Sequence, residues 1–360
     1  MHAPRPRAVD AELQPTIAPR VFVSQATETP DELIGRIRQD LRDADETGLL
    51  MILYGRCGAL RSLVLPGDVP VLALEGRPCH SGPMAGAFVY TCPSSVEVRR
   101  FRSDGRTHAV VLEDADARYC LFGGLGNLNP KSSRSTQTAH VLGQLDQILE
   151  RGGFVFADLV RTWFYNEDIL DWYGDFNRVR TGYYQRRAFH MGAPPASTGV
   201  GGRYPDGAAL GLAGWAMRPI DERGKALEVS SPLQCPAPRY GSTFSRAVEI
   251  QAGASRRLFV SGTASIALTG ESIHAGDMEK QITRTMEVIG AMLAARDFGW
   301  RDVDRATAYF KRAADLPYWT DWLERHGMEY LPCVAVEGTV CRDDLLFELE
   351  LDTCAPTVAL

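Results

Sequence analysis

The sequence lacks the short motifs by which most metal ions and nucleotide cofactors are bound. None of the eight cysteines belongs to a C-x-x-C pair, and none of the seven histidines stands at a metal-ligand spacing with a cysteine or an acid. Neither a G-x-x-x-x-G-K-S/T loop nor a strand-linked G-x-G-x-x-G occurs, and the glycine-rich run 199–202 has no helix start behind it. We therefore expect no metal and no nucleotide cofactor.

Long apolar runs and an excess of positive charge are missing as well. No run approaches the ~18–20 apolar residues that cross a bilayer, and residues 1–15 have arginines without a following apolar segment, so neither a membrane span nor a secretory signal is expected. The net charge of −6 argues against a nucleic-acid partner. Cysteines with apolar neighbours, such as Cys120, are typical of reduced thiols in a cytoplasmic protein.

What the chain does contain is an internal repeat. Residues 151–165 (RGGFVFADLVRTWFY) match residues 295–309 (ARDFGWRDVDRATAY) at an offset of 144 residues, the distance from Tyr165 to Tyr309. Upstream, RYCLFGG (118–124) resembles RRLFVSG (256–262) at an offset of 138. The matched pairs are Gln137/Gln281, Leu149/Leu293, Phe154/Phe298, Phe156/Trp300, Asp158/Asp302, Arg161/Arg305 and Tyr165/Tyr309.

Each copy predicts the same order of elements. A strand that ends in glycine precedes an amphipathic helix (about 136–151 and 277–295), a short strand (159–165 and 303–309) and a second helix (about 167–185 and 313–327). The pattern predicts an α+β fold of two units, each a mixed sheet with helices on one face. We expect a disordered lead-in (1–20), an N-terminal domain (21–190), a Gly/Pro/Ser-rich junction (191–207) and a C-terminal domain (208–360).

The densest polar and aromatic cluster lies in the second helix of the first copy. Tyr173, Asn177, Arg180 and Tyr184 follow one another at helical spacing and share one face. Such a face could bind a carboxylate between aromatic walls, or it could be the solvated side of a surface helix. Spacing alone leaves both interpretations open.

Two loops offer further candidates. Residues 233–247 have a loop composition and include Tyr240 and Arg246, whose side chains are long enough to reach a ligand. Small hydroxyl residues follow a strand at 261–265, where they could line a pocket or cap a turn. No G-x-S-x-G elbow and no recognisable catalytic triad accompany them, so a serine hydrolase is not expected.

The last strand, FELELD (347–352), alternates apolar and acidic residues. This period of two is typical of a half-buried strand, with Glu348, Glu350 and Asp352 on the face away from the core. Those carboxylates could all be solvated, or one could be held in a pocket for proton transfer. Periodicity does not distinguish the two.

The second copy resembles the RidA/YjgF superfamily in its strand-SG, GD-x-x-x-Q, DV-x-R and closing LLFELE segments. In that superfamily the closing signature starts with a P-x-R segment, whose arginine binds the substrate carboxylate, and a glutamate of the closing strand is the catalytic acid. Glu348 matches the glutamate, whereas Cys333 stands at the arginine position. The resemblance implies two RidA/YjgF-like (chorismate-mutase-like) units, the first of them divergent.

The whole chain is closer to the chorismatases, which have a RidA-like C-terminal half. The resembling segments are R-x-W-x-Y (161–165), FN-x-x-R-x-x-Y (176–183), PASTG-x-G (195–201), PLQ (232–234), SGTASI (261–266) and CR-x-x-LLFE-x-E (341–350). The resemblance implies substrate contacts from Tyr173, Arg180, Tyr240 and Arg246, with proton transfer by Glu348. On this basis Glu350 and Asp352 are expected to be solvated carboxylates.

The family implies release of pyruvate from chorismate, without a cofactor, in secondary-metabolite biosynthesis. The product would be 3- or 4-hydroxybenzoate or a trans-dihydroxycyclohexadiene carboxylate, and the sequence does not decide which, because segment 267–272 lacks the histidine that the family tends to have there. A non-catalytic RidA-like module that binds a small carboxylate and a RidA-like enamine or imine deaminase are the alternatives. A homo-oligomer is left open.

Overall fold

The computed structural model describes residues 15–79, 82–126 and 129–357. The strands are β1 (Ala18–Val23), β2 (Glu46–Gly55), β3 (Val71–Glu75), β4 (Arg77–Pro78), β5 (Met84–Pro93), β6 (Arg99–Ser103), β7 (Arg106–Glu113), β8 (Ala117–Leu125), β9 (Leu159–Asn166), β10 (Ala196–Gly201), β11 (Leu210–Pro219), β12 (Lys225–Val229), β13 (Ala247–Ala252), β14 (Ser255–Ala264), β15 (Val303–Phe310), β16 (Cys333–Glu337) and β17 (Phe347–Pro356). The helices are α1 (Pro30–Asp43), α2 (Cys57–Leu60), α3 (Arg134–Gly152), α4 (Tyr173–Tyr184), α5 (Met278–Ala294) and α6 (Leu316–His326).

The strands form three sheets. Their orders are β1-β5-β2-β3, β10-β9-β11-β8-β7-β6 and β12-β13-β14-β17-β15-β16-β4. The second and third sheets, with α3 and α4 and with α5 and α6, are the two predicted units, and the α+β class is confirmed. We call these units 2 and 3.

Residues 18–93 add a smaller sheet of the same design, which we call unit 1. Each unit contains a parallel pair (β2 with β3, β9 with β10, β15 with β16) beside an antiparallel strand (β5, β11 or β17). Tyr54, Tyr165 and Tyr309 lie near the ends of β2, β9 and β15, and their hydroxyl oxygens meet at 2.6, 3.0 and 3.2 Å. The three units therefore surround a pseudo-threefold axis.

The helices lie outside and the inner faces of the sheets share one core. In unit 3 the apolar residues of α5 and α6 pack on one face of β14, β15 and β17. The opposite faces of all three sheets contribute to a central cluster, in which the ring of Trp215 lies 5.1 Å from the rings of both Tyr90 and Phe259. Both faces of the central strands are thus covered by protein.

Local signals fix the helix ends. The Ser133 hydroxyl accepts a hydrogen bond from the amide of Thr136 at the start of α3, and Gly153 ends that helix with a φ of 80°. The Asp277 carboxylate caps α5 in the same way through the amide of Lys280. No helix of the described residues is long and apolar enough to cross a membrane.

The structure corrects the expected limits of the lead-in, of the boundary between the two domains and of two helices. The lead-in was expected to extend to residue 20, but β1 begins at Ala18 because it pairs with β5; residues 1–14 lie outside the described part. The junction 191–207 contains β10, and β11 pairs with β8 and β9, so unit 2 extends to Pro219 and the boundary at 208 falls inside it. Helices α4 and α6 are shorter than predicted, since a 3-10 turn precedes each.

Candidate active site

The five residues singled out in the sequence surround one cleft between units 2 and 3. Helix α4 of unit 2 contributes Tyr173 and Arg180, the loop before β13 contributes Tyr240 and Arg246, and β17 contributes Glu348. The cleft encloses about 20 Å³ of free space, room for about one water molecule. Its remaining lining residues are Ser197, Gly199, Phe244, Gly262, Ala264, Ile266 and Cys341.

The Glu348 side chain is 4% exposed, and its carboxyl has no hydrogen-bond or ion-pair partner among the described residues. Burial raises the pKa of Glu348 to about 8, and the negative charge of Glu350 adds to the rise against the opposing charges of Arg246 and Arg161. A group with this pKa is mostly protonated at neutral pH. Glu348 can therefore act as a general acid.

Gly262 of β14 makes room for this carboxyl. A Cβ atom at this position would lie 2.0 Å from Glu348 Oε1, well inside van der Waals contact. Only a glycine lets the strand pass so close to the acid.

Glu350, two residues along the same strand face, has the opposite environment. It is fully buried and accepts hydrogen bonds from several donors. These donors are Arg161 Nη2 (2.5 Å), Trp163 Nε1 (2.8 Å), Arg305 Nη1 (2.9 Å), Tyr309 OH (3.3 Å) and the Thr198 hydroxyl. The two carboxyl groups on this strand face thus differ in environment: that of Glu350 is paired with several donors, whereas that of Glu348 has no partner among the described residues.

The expectation that Glu350 and Asp352 are solvated is wrong, because both are fully buried. The face that carries them points into the core shared by the units, where Arg305 binds both oxygens of Asp352 at 2.9 and 3.0 Å. Burial alone would raise the pKa of Asp352, but the Arg305 guanidinium lowers it. The Tyr90 hydroxyl of unit 1 donates to the same carboxylate.

Two guanidinium groups stand in the wall of the cleft. Arg180 Nη2 donates to Asn177 Oδ1 at 2.7 Å, and Arg246 donates through Nε and Nη2 to the carbonyl of Cys235 at 2.9 and 2.8 Å. These bonds leave Nη1 of each arginine without a partner in the described part of the chain. Both side chains are almost fully buried, so the surface-helix interpretation of Arg180 is wrong. Nε of Arg180 is unpaired as well, so both arginines keep N–H groups that no described residue shares.

Aromatic rings hold these arginines in place. The guanidinium carbon of Arg180 lies 4.9 Å from the ring centre of Phe176, and that of Arg246 lies 5.3 Å from the ring centre of Tyr240. The Tyr173 hydroxyl lies 3.1 Å from the Ser242 hydroxyl, and burial raises the pKa of Tyr173 to about 12. Tyr173 is therefore a neutral phenol that can donate a hydrogen bond.

Sequence reasoning did not single out several residues of this cleft, among them Gly262, Ser197 and Cys341. Burial raises the pKa of the Cys341 thiol to about 12, so this cysteine is uncharged at neutral pH. All three lie inside the quoted segments SGTASI, PASTG-x-G and CR-x-x-LLFE-x-E. The family-like segments indicated which parts of the chain form the site, but they did not indicate which of their residues face the cleft.

A larger cavity of about 180 Å³ lies at the other end of β14 and β17, beside Arg257, Asp114 and Asp116. None of the predicted site residues lines it. Arg257 is already bound to Asp304 at 2.8 Å, and the two aspartates would repel an anion. No group of three or more His, Cys, Asp or Glu residues in the described ranges could hold a metal ion.

No protein-family model matches the chain, and no curated protein matches it. Among solved structures, a chorismatase superposes with a TM-score of 0.67 over 94% of this chain and 100% of its own, at 19% identity. The chain has the fold of a chorismatase. Yeast Mmf1 (14% identity, TM-score 0.30) and the Rid-family protein YyfA from Yersinia pestis (19%, 0.31) each match 36% of the chain and 98% and 100% of their own lengths.

Within this chorismatase fold, only one of three equivalent positions bears an acid. The strand partners of Tyr54, Tyr165 and Tyr309 are Gly86, Gly211 and Glu348. A Cβ atom at Gly211 would lie 2.3 Å from the Tyr204 hydroxyl, and one at Gly86 would lie 2.3 Å from a backbone carbonyl oxygen. Protein atoms thus occupy the space of the acid in units 1 and 2.

Proposed function

We propose that the protein is an enzyme that releases pyruvate from chorismate. The observation that carries this proposal is the cleft itself, in which an unpaired carboxylic acid, Glu348, faces a wall that contains two arginines with free Nη1 groups. The fold shared with a chorismatase supports it.

Chorismate carries two carboxylates, one on the cyclohexadiene ring and one on the enolpyruvyl ether. Arg180 and Arg246 match this charge count, one for each carboxylate. The phenols of Tyr173 and Tyr240 line the same cleft and would add hydrogen-bond donors and flat apolar surface for the ring. No cofactor is needed for this binding mode.

The reaction begins with a proton. Glu348 in its acid form protonates the methylene carbon of the enolpyruvyl group, which creates an oxocarbenium ion beside the ether oxygen. Water that adds to the cationic carbon next to the ether oxygen loses a proton to the Glu348 carboxylate, and the hemiketal breaks into pyruvate and a trans-dihydroxycyclohexadiene carboxylate. If the neighbouring ring hydroxyl instead attacks the ring carbon that bears the ether oxygen, that carbon–oxygen bond breaks, pyruvate leaves with the oxygen, and the hydroxyl proton passes to the Glu348 carboxylate. The arene oxide that remains aromatises to 3-hydroxybenzoate, or to 4-hydroxybenzoate in a variant of this route.

The closed cleft is too small for this substrate, so part of its wall must move outward during binding. The loop 236–246 is linked to α4 by two hydrogen bonds between side chains, Tyr173 with Ser242 at 3.1 Å and Thr181 with Thr243 at 2.6 Å. Both are hydroxyl pairs that water can replace. We expect this loop to open for chorismate and to close over it, which would exclude bulk water from the oxocarbenium ion.

The test is incubation of the purified protein with chorismate, with pyruvate followed by a lactate dehydrogenase coupled assay and aromatic products by chromatography. Glu348→Gln should lower turnover at least ~10²-fold because it removes the proton donor. Glu324→Gln on the exposed face of α6 is the matched control and should be fully active. Pyruvate release no faster than the uncatalysed background would refute the proposal, and calorimetric binding of chorismate without turnover would favour the non-catalytic binding module.

A further inference from the structure

Glu350 is linked to the floor of the cleft through a single hydroxyl. Thr198 of β10 donates to Glu350 Oε2, and the same Thr198 oxygen accepts from Arg161 Nη2 at 2.8 Å and from the amide of Gly262 at 3.1 Å. Gly262 is the residue against which the Glu348 carboxyl rests. A short chain of contacts therefore connects the buried carboxylate with the backbone beneath the acid.

Charged and titratable groups face Glu348 from each element packed around it. These groups are Glu350 on the same strand, Arg161 on β9, Tyr173 and Arg180 on α4, Tyr240 and Arg246 ahead of β13, and Cys341 in the loop before β17. Of these groups, Arg246 and Arg161 favour the ionised form of Glu348, and the negative charge of Glu350 opposes it.

Arg161 favours the ionised form of Glu348 as well, although less than Arg246 does. It is fully buried, its Nε and Nη1 have no partner, and Nη2 is directed at Glu350 and Thr198. The aromatic face of Trp163 lies 4.5 Å from its guanidinium carbon, so the group cannot turn away easily. Glu350 is the anion that Arg161 binds, and without it the guanidinium charge would act on Glu348 with no neighbouring negative charge to offset it.

We propose that Glu350 is a positioning residue for the acid. This inference rests on the proposed function, since it assigns to Glu350 the task of keeping Glu348 protonated. Through Thr198 it fixes the backbone of Gly262 under the carboxyl, and its charge binds Arg161 and repels a second negative charge on β17. Glu350 itself touches no substrate.

The two parts of this role can be separated by substitution. Glu350→Gln removes the charge. In the pH profile of kcat/KM, the limb at which activity falls with rising pH (the alkaline limb) should then move to lower pH by about one unit or more, because Arg161 and Arg246 favour ionised Glu348. Glu350→Asp retains the charge and should keep the limb near the wild-type position. Thr198→Val removes the contact to Gly262 without a change of charge, so it should lower kcat about tenfold with the limb unmoved.

A buried charge left alone can prevent folding, so a second variant is needed. The double variant Arg161→Met/Glu350→Gln removes both charges of the pair and should bring the limb back toward the wild-type value. A merely structural role would lower activity in all variants without moving the limb.

The titration of Glu348 can also be followed independently of turnover. The infrared carbonyl band of its protonated carboxyl is recorded as a function of pH, and the spectrum of Glu348→Gln is subtracted as the reference. A wild-type midpoint near the ordinary 4.5 of a glutamate would overturn the inference. So would a Glu350→Gln protein that is folded and titrates like the wild type. If the wild type releases no pyruvate, the proposed function fails, whereas the infrared titration still decides the role of Glu350.

Discussion

Replacement of Gly262 by alanine would place a methyl group where the Glu348 carboxyl now lies. The new Cβ would be 2.0 Å from Oε1 and 2.9 Å from the carboxyl carbon, whereas ordinary contact begins near 3.4 Å. Oε1 must therefore retreat by at least ~1.4 Å, the difference between 3.4 Å and 2.0 Å. It can do so because it is the end of a flexible side chain. A displacement of about 1 Å in a reacting group costs on the order of 10²-fold in rate.

We therefore expect Gly262→Ala to release pyruvate from chorismate at least ~10²-fold more slowly than the wild type, with an unchanged thermal unfolding midpoint. Gly182→Ala in α4 is the matched control, since its added methyl meets no atom within 4 Å; a glycine-to-alanine change in an open helical site should stabilise by roughly 0.5–1 kcal/mol. Wild-type turnover in a folded Gly262→Ala protein would refute the placement of Glu348 as the acid.

Three further outcomes follow from the same contacts. Arg305→Met should lower the free energy of unfolding in urea by about 3–5 kcal/mol, because the buried Asp352 loses its guanidinium partner and Glu350 loses one of its two; Arg178→Met, which breaks an exposed pair with Asp175, should change it by less than ~0.5 kcal/mol. For Glu348, the raised pKa means that its contribution to stability is fully present below about 4.5 and is lost as pH rises towards about 8. Glu348→Gln should thus be more stable than the wild type by roughly 3 kcal/mol at pH 7, with no difference near pH 4. Arg180→Ala should chiefly raise KM for chorismate, and an unchanged KM would contradict the proposed contact between Arg180 and a substrate carboxylate.

The internal repeat predicted much of units 2 and 3. Tyr165 and Tyr309, matched by an offset of 144 residues, meet on the pseudo-threefold axis, and Arg161 and Arg305 of the same match bind the same carboxylate, Glu350. Matched residues on duplicated strands have equivalent places in the fold, which is why a sequence repeat could find them.

Other features lay beyond the reach of sequence patterns. A period of two gives the face of β17 that bears Glu350 and Asp352, but not whether solvent or a second protein layer covers that face. Here the covering layer includes Trp163 of unit 2 and Tyr90 of unit 1, both far away in the chain. Unit 1 itself was missed as a repeat, since its strands share order and pairing with the other units rather than sequence.

The three tyrosines on the axis belong to one polypeptide, and this has a consequence for how such a site can change. In an assembly of three identical subunits a single mutation alters all three clefts at once, and dilution takes the clefts apart. Here each position is encoded separately, so a glutamate can be kept at 348 while glycine stands at 86 and 211. Covalent linkage also keeps the two sides of the cleft together at any protein concentration, so turnover per molecule should be constant down to the lowest concentration that can be assayed.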